Sequence, residues 1–359
     1  MRNPLFDRKF ACTRIMAGAF LLAGVASAQQ YQKTNLVSNL ASLAPTTGPN
    51  LVNAWGLARS SSSPWWVSDN GTGLSTLYDG AGAVQSLVVT VPGGAPTGTV
   101  YNGSSDFALA NGKPARFLFA SEDGTISGWN SGTQAVAAAK TPGAVYKGIA
   151  IAVADGKRQL YATDFHSGHI DVFDASFHPV TRRHGDGDGA PFRFEGRPRG
   201  LAPFGIQNIG GNLFVTFAKP DAAGKDDVHA PGNGAVAVFT PAGRLIGMFE
   251  HVKDLNSPWG LALAPGDFGT FSHHLLVGQF GSGEILAYDL ATGRLAGKML
   301  DSSANPIVIE GLWALSFGNG KSAGPATTLF FTAGPSDEAN GLFGTLTPPT
   351  SELTEGNGN

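Results

Sequence analysis

The chain is nearly without cysteine. Of its 359 residues only Cys12 is one, and it sits ahead of an apolar run near the start. A single thiol forms no intramolecular disulfide and no cysteine-rich metal cluster. Charge is sparse too: 14% of residues are charged and the formal net charge is −3. The absence of any basic patch excludes the electrostatic footprint of a nucleic-acid binder. Past the first 28 residues there is no run of 18 apolar residues, so no helical membrane span is expected. Common catalytic signatures are missing. There is no Gly-x-Ser-x-Gly elbow. Gly320-Lys321-Ser322 imitates the end of a phosphate-binding loop, but Leu315 stands where its first glycine belongs. No dinucleotide fingerprint follows a strand and opens a helix.

What the chain has in quantity is glycine (50) and proline (22), which suits many short strands joined by turns. It also repeats itself about every 50 residues. An aromatic-Gly-Leu-Ala start leads into a short apolar strand, a polar residue, a Gly-rich turn and a second strand. The clearest starts are Trp55-Gly56-Leu57-Ala58 and Trp259-Gly260-Leu261-Ala262. Weaker ones are Lys147-Gly148-Ile149-Ala150, Phe204-Gly205-Ile206 and Trp313-Ala314-Leu315. Strand repeats of this period mean a radial or solenoid architecture. Six strand pairs align, opening at Trp65, Phe117, Leu160, Leu213, Leu275 and Leu329. The second strand of each pair often alternates polar and apolar, as half-buried strands do.

The pattern predicts an all-β, six-bladed β-propeller. A seventh blade stays open, because Gly98–Asp106 and residues 175–200 resist assignment. A lone blade exposes a large apolar face, so the ring must close. Asn35-Leu36-Val37 is expected to add a strand to the last blade and remove its open edge. The N-terminus reads as a secretory leader. Arg2, Arg8, Lys9 and Arg14 precede an apolar run from Ile15 to Val25, too short to span a bilayer, then Ala26-Ser27-Ala28. Residues 1–28 are thus expected to be removed, 29–348 to form one propeller domain, and 349–359 a flexible tail. Cleavage after Ala28 takes away Cys12 and leaves 20 basic and 26 acidic residues, a net charge near −6. The expected location is secreted or periplasmic.

Thr163-Asp164-Phe165-His166-Ser167-Gly168-His169-Ile170-Asp171-Val172-Phe173-Asp174 resembles one NHL repeat core. The chain as a whole resembles NHL-type and lactonase-like six-bladed propellers. Most of residues 30–348 resembles, more closely, an uncharacterised family of secreted bacterial propeller proteins. The features that match are Asn35-Leu36-Val37-Ser38, Asn53-Ala54-Trp55-Gly56-Leu57, and Ala218-Lys219-Pro220-Asp221 with Asp226-Asp227-Val228 and Pro231-Gly232-Asn233-Gly234. This resemblance implies a fold and an export route, and carries no reaction. WD40 pairing and kelch glycine doublets are not repeated in the chain.

In a propeller the strand ends ring the mouth of a central channel. The residues closing the first aligned strand are Asp69, Glu122, Asp164, Phe217, Gln279 and Ala333. Three successive blades therefore offer carboxylates. If Asp69, Glu122 and Asp164 converge, they suit Ca²⁺ or another divalent cation, which could polarise a carbonyl or activate water as in lactonase-like propellers. The alternative is that each acid binds backbone N–H groups of its own turn. The full Glu/Asn/Asn/Asp ligand set of lactonase-like enzymes is not matched.

His166 and His169 lie near Asp164, and a zinc site would need further ligands, for which no nearby pattern exists and His178 and His184 are the candidates. Asp186 and Asp188 sit in a Gly-rich loop that resembles part of a calcium site but lacks the distal Glu of an EF-hand. The stretch Lys219 to Gly234, with Asp221, Lys225, Asp226, Asp227 and His229, is the most charged loop and a candidate rim or lid. Trp55, Trp259 and Trp313 either form a sugar-stacking platform or pack between blades. The leading expectation is a binding scaffold for a small molecule, glycan or extracellular protein at the channel mouth. Its candidate residues are Asp69, Glu122, Asp164, His166, Gln279, Lys219, Asp226 and Asp227. A divalent-metal-dependent hydrolase or lyase is the alternative.

Overall fold

Each repeat folds as a small antiparallel sheet, and six sheets stand around one axis as the blades of a propeller. The computed structural model describes residues 30–180, 191–192, 200–250 and 253–349. The expected leader, the Asp186 and Asp188 loop and the last ten residues lie outside the described residues. Blade one runs Ala54–Ala58, Trp65–Asp69, Leu74–Tyr78, Val84–Thr90. Blade two runs Pro96–Tyr101, Phe117–Ser121, Thr125–Trp129, Val136–Lys140. Blade three has three described strands, Tyr146–Ala154, Lys157–Asp164 and His169–Phe173. Blade four runs Ala202–Ile209, Asn212–Ala218, Gly234–Phe239, Leu245–Met248. Blade five runs Pro258–Leu263, Leu275–Gln279, Ile285–Tyr288, Leu295–Lys298. Blade six comprises Leu312–Phe317, Leu329–Ala333 and Leu342–Thr347, and Gln32–Ser38 pairs antiparallel to the last of these. The ring thus closes through the N-terminal strand, as its sequence suggested. A 3₁₀ turn at Gly269–Phe271 is the one helical element among the described residues.

The segment that left a seventh blade open is the inner strand of blade two. There Thr97-Gly98 replaces the aromatic-Gly start. The glycine, not the aromatic residue, is what this position requires. A Cβ on Gly56 would lie 2.3 Å from the Thr97 carbonyl of the next blade, and one on Gly205 or Gly260 would lie 2.2 or 2.4 Å from the Trp259 or Trp313 carbonyl. Inner strands approach this closely around a narrow axis, so the backbone itself fills the contact. Hydroxyls on the second strands tie neighbours together. Thr163 donates to the Phe204 carbonyl at 2.7 Å, and Thr332 donates to that of Trp55 at 2.5 Å.

The core lies between blades. Trp65, Val67 and Tyr78 of blade one pack on Phe330 and Phe343 of blade six. Leu118, Ala120 and Ile126 of blade two meet Ile149, Leu160 and Ala162 of blade three. Because each blade is covered on both faces, second strands such as Phe117–Ser121 are buried throughout. The third strands, whose alternation suggested half-burial, are mostly buried as well: four of five residues in both Leu74–Tyr78 and Thr125–Trp129. Sandwiching overrides the period-two signal there, and the alternate polar residues are small ones such as Ser75 and Ser127.

Candidate functional site

The residue before the bulge glycine, or its alanine in blade six, is set on the axis at the start of each inner strand. Around the ring these residues are Trp55, Thr97, Lys147, Phe204, Trp259 and Trp313. The tryptophans do not pack between blades. They meet one another and plug the channel: Trp55 stacks on Trp313 at 3.6 Å, and Phe280 also stacks on Trp313, at 4.1 Å. Trp259 meets both tryptophans edge-on. Trp55 and Trp313 are buried, whereas Trp259 and Phe280 are half-buried. Farther along the inner strands a cavity of about 30 Å³ remains, lined by Trp259 together with Leu57, Thr99, Ile149, Gln207 and Leu315. That is room for about one water molecule.

At the level of the plug a polar chain runs through five blades. Lys147 is 2% exposed. Its ammonium pairs with Glu122 of blade two, lies 3.5 Å from Asp226 of the blade-four loop, and sits 5.0 Å over the Trp55 ring. The other oxygen of Glu122 accepts from Asn70 at 3.4 Å. Asn53 donates to Asn70 at 3.2 Å and to Glu338 of blade six at 3.0 Å, and accepts from the Trp313 indole at 2.9 Å. Burial pushes the Glu338 carboxyl up, and the Asn53 bond only partly opposes this. Ser336, Asp337 and Glu338 are all left-handed, with φ of 59°, 54° and 63°. Three such non-glycine residues in a row are strained, and they present Glu338 to Asn53.

The charged loop reaches the mouth, as a rim should. A bridge between Pro220 and Asp227 fastens its base, and its tip is held by the His166 ring against the Ala223 carbonyl at 3.0 Å. Asp226 is exposed, but Asp227 turns inward. Burial pushes the Asp227 carboxyl up, partly opposed by nearby Ser257, His229 and Lys147. His229 Nδ1 stands 3.8 Å from Asp227 Oδ2.

The other expected residues have different surroundings. Asp69 is fully buried among Trp65, Val67 and Tyr78 at the blade-one/blade-six boundary. Neither of its oxygens has a hydrogen-bond partner, and burial holds its carboxyl well above the usual range despite Thr76 beside it. Asp164 caps its own turn, accepting from the backbone of Val145, His166 and Ser167. Gln279 does likewise, accepting from Asn256 N at 2.7 Å and donating to Ser282. Lys219 is exposed beside the loop base, where its carbonyl accepts from Val228. The expected half-ring of Asp69, Glu122 and Asp164 therefore does not assemble, and these three do not fit a divalent cation. Glu122 reaches Lys147 because it lies one residue past the shared position: Pro96 pairs with Ser121, whereas Ala54 and Tyr146 pair with Asp69 and Asp164. Among the described residues no three His, Cys, Asp or Glu side chains group to hold a metal.

Sequence reasoning passed over Lys147, Asn53, Asn70 and Glu338. For Lys147 a signal existed: a lysine occupies a repeat position that is Trp in three blades and Phe in a fourth. Asn53 and Asn70 carry no such mark, and Glu338 reaches the mouth through turn geometry.

No family model matches the chain. It is 31% identical over 335 residues to "Uncharacterized protein R648" of Acanthamoeba polyphaga mimivirus, covering 87% of this chain and 78% of the relative. It is 30% identical over 328 residues to "Uncharacterized protein L690" of the same virus, covering 87% and 84%. These relatives are viral and do not support the expected bacterial family. Among solved structures, a streptogramin B lyase superposes with a TM-score of 0.52 at 11% identity over 90% of this chain and 100% of its own. A structural genomics protein of unknown function from Bacteroides thetaiotaomicron gives 0.54 at 12% over 88% and 76%. Likeness at this identity is one of fold. With the sequence match spanning most of both chains, this propeller belongs to the same family as the mimivirus proteins R648 and L690.

Proposed function

We propose that this propeller is a binding scaffold that takes a small polar ligand at the channel mouth, over the half-buried faces of Trp259 and Phe280. Lys147 carries the reading. A buried ion pair rarely stabilises a fold relative to well-packed apolar residues, and four other blades place an aromatic residue at this position. A lysine kept there, braced by carboxylates from two neighbouring blades, is suited to ligand recognition. The asparagines and Glu338 add donors and acceptors around an aromatic floor, the usual make-up of a small-molecule site. The leader-like N-terminus extends the proposal to an exported protein.

The test is a melting-shift screen with sugars, sugar acids, lactones and amines. Hits should disappear in Trp259→Ala and persist in Asp289→Ala, at the opposite end of blade five. Hits that ignore Trp259 would remove the reading.

A lyase or hydrolase is the second reading, favoured by one observation. Asp227 and His229 stand together at the rim as groups able to exchange a proton, on a fold like that of streptogramin B lyase. Turnover of cyclic esters that is lost in His229→Ala would support it. Turnover that survives the substitution would not.

A further inference from the structure

Three side-chain oxygens at the boundary of blades four and five are left under-satisfied. Asp227 Oδ2, Asn256 Oδ1 and Ser257 Oγ are all buried and none makes a well-formed hydrogen bond, although the Ser257 hydroxyl stands close enough to the Asp227 carboxyl to favour its charged form. The Asp227 side chain is 7% exposed, Asn256 8% and Ser257 0%. Buried polar atoms left unpaired are rare in folded proteins, and each calls for a water or an ion. They are neighbours: Ser257 lies beside Asp227, and Asn256 precedes it in the chain. Asn256 Oδ1 projects into space kept free by Gly281, where a Cβ would sit 2.3 Å from that oxygen and 2.5 Å from the Cβ of His229.

The surrounding charge points the same way. Glu122, Asp226, Asp227 and Glu338 share the mouth with one buried lysine. Its ammonium is already engaged by Glu122 and Asp226, so it does not serve the three oxygens. Carboxylate, amide and hydroxyl oxygens are the donors that hard cations select, with water completing the shell. We infer that Asp227, Asn256 and Ser257 form a binding site for one hard divalent cation, of the calcium or magnesium class, at the rim of the mouth. This site differs from the half-ring the sequence suggested, and it does not rest on the ligand reading above.

The test uses the full chain, stripped with a chelator and titrated with Ca²⁺ or Mg²⁺ alone, followed by calorimetry and thermal melting. The expected result is one ion per chain with a raised melting temperature. Asp227→Asn and Gly281→Ala should each weaken binding at least tenfold, while Asp289→Ala, at the opposite end of blade five, binds as wild type. Asn256→Ala serves as a further variant should either of the first two melt lower than wild type in chelator. Absence of saturable binding by both ions would mean that water alone satisfies these oxygens and would overturn the inference. So would binding that is indifferent to Asp227 and Gly281, or binding of Zn²⁺ only.

Discussion

Two buried charges decide most at the residue scale, and they act in opposite directions. Asp69 is fully buried, and burial raises its carboxyl pKa more than neighbouring Thr76 lowers it. A carboxyl whose folded pKa is raised favours folding at low pH and loses that contribution as pH rises through the folded value. Asp69→Asn should therefore melt higher than wild type at pH 7, with the gap closing toward about pH 4, where unfolded Asp titrates. Melts across pH 3–8 would show it; a gap independent of pH would contradict it. Lys147 is the converse case, since its partners are in place. Lys147→Met strands Glu122 and should cost about 3–5 kcal/mol, the usual penalty for breaking a buried pair from one side. Lys147→Met combined with Glu122→Met should recover most of that loss in urea titrations. Equal losses in the single and double variants would mean that the pair is not coupled.

The blade is the element, and its inner strand sets the rules. Gly205 stands against the Trp259 carbonyl with no room for a methyl group. Gly205→Ala should cost about 1–3 kcal/mol or more through overpacking, read from denaturant midpoints. Gly247→Ala, where a Cβ meets open space, should change little. This packing explains what the sequence disclosed. The glycine recurs in five blades, with Ala314 in its place in the sixth, and the apolar second strand in all, so the strand pairs could be read directly. The third strands could be placed too, but their alternation does not mean half-burial except in His169–Phe173, because in the other blades the neighbouring blade covers the polar face. Nor could the site be read from strand ends. Asp69, Asp164 and Gln279 share one repeat position, where backbone N–H groups or apolar packing claim them. In blade two that position is Ser121, so Glu122, read from the sequence as its equivalent, stands one residue further on.

At the scale of the whole molecule the ring stands or falls by its closure. Gln32–Ser38 pairs with Leu342–Thr347, and the Ser38 hydroxyl adds a bond to the Gly341 carbonyl at 2.7 Å. A chain beginning after Ser38 should leave blade six with an open edge, melt lower and self-associate on size exclusion. A monomer of unchanged stability would contradict this. Closure also brings Glu338 and Asn53 to the mouth from opposite ends of the sequence, so the polar chain around Lys147 exists only in the finished ring. Ligand binding at this mouth is tested most directly by calorimetric titration of the strongest melting-shift hit against wild type and Trp259→Ala. The substitution should cost at least a tenfold loss of affinity, equal to about 1.4 kcal/mol. Unchanged affinity, or a panel in which no compound binds, would contradict it.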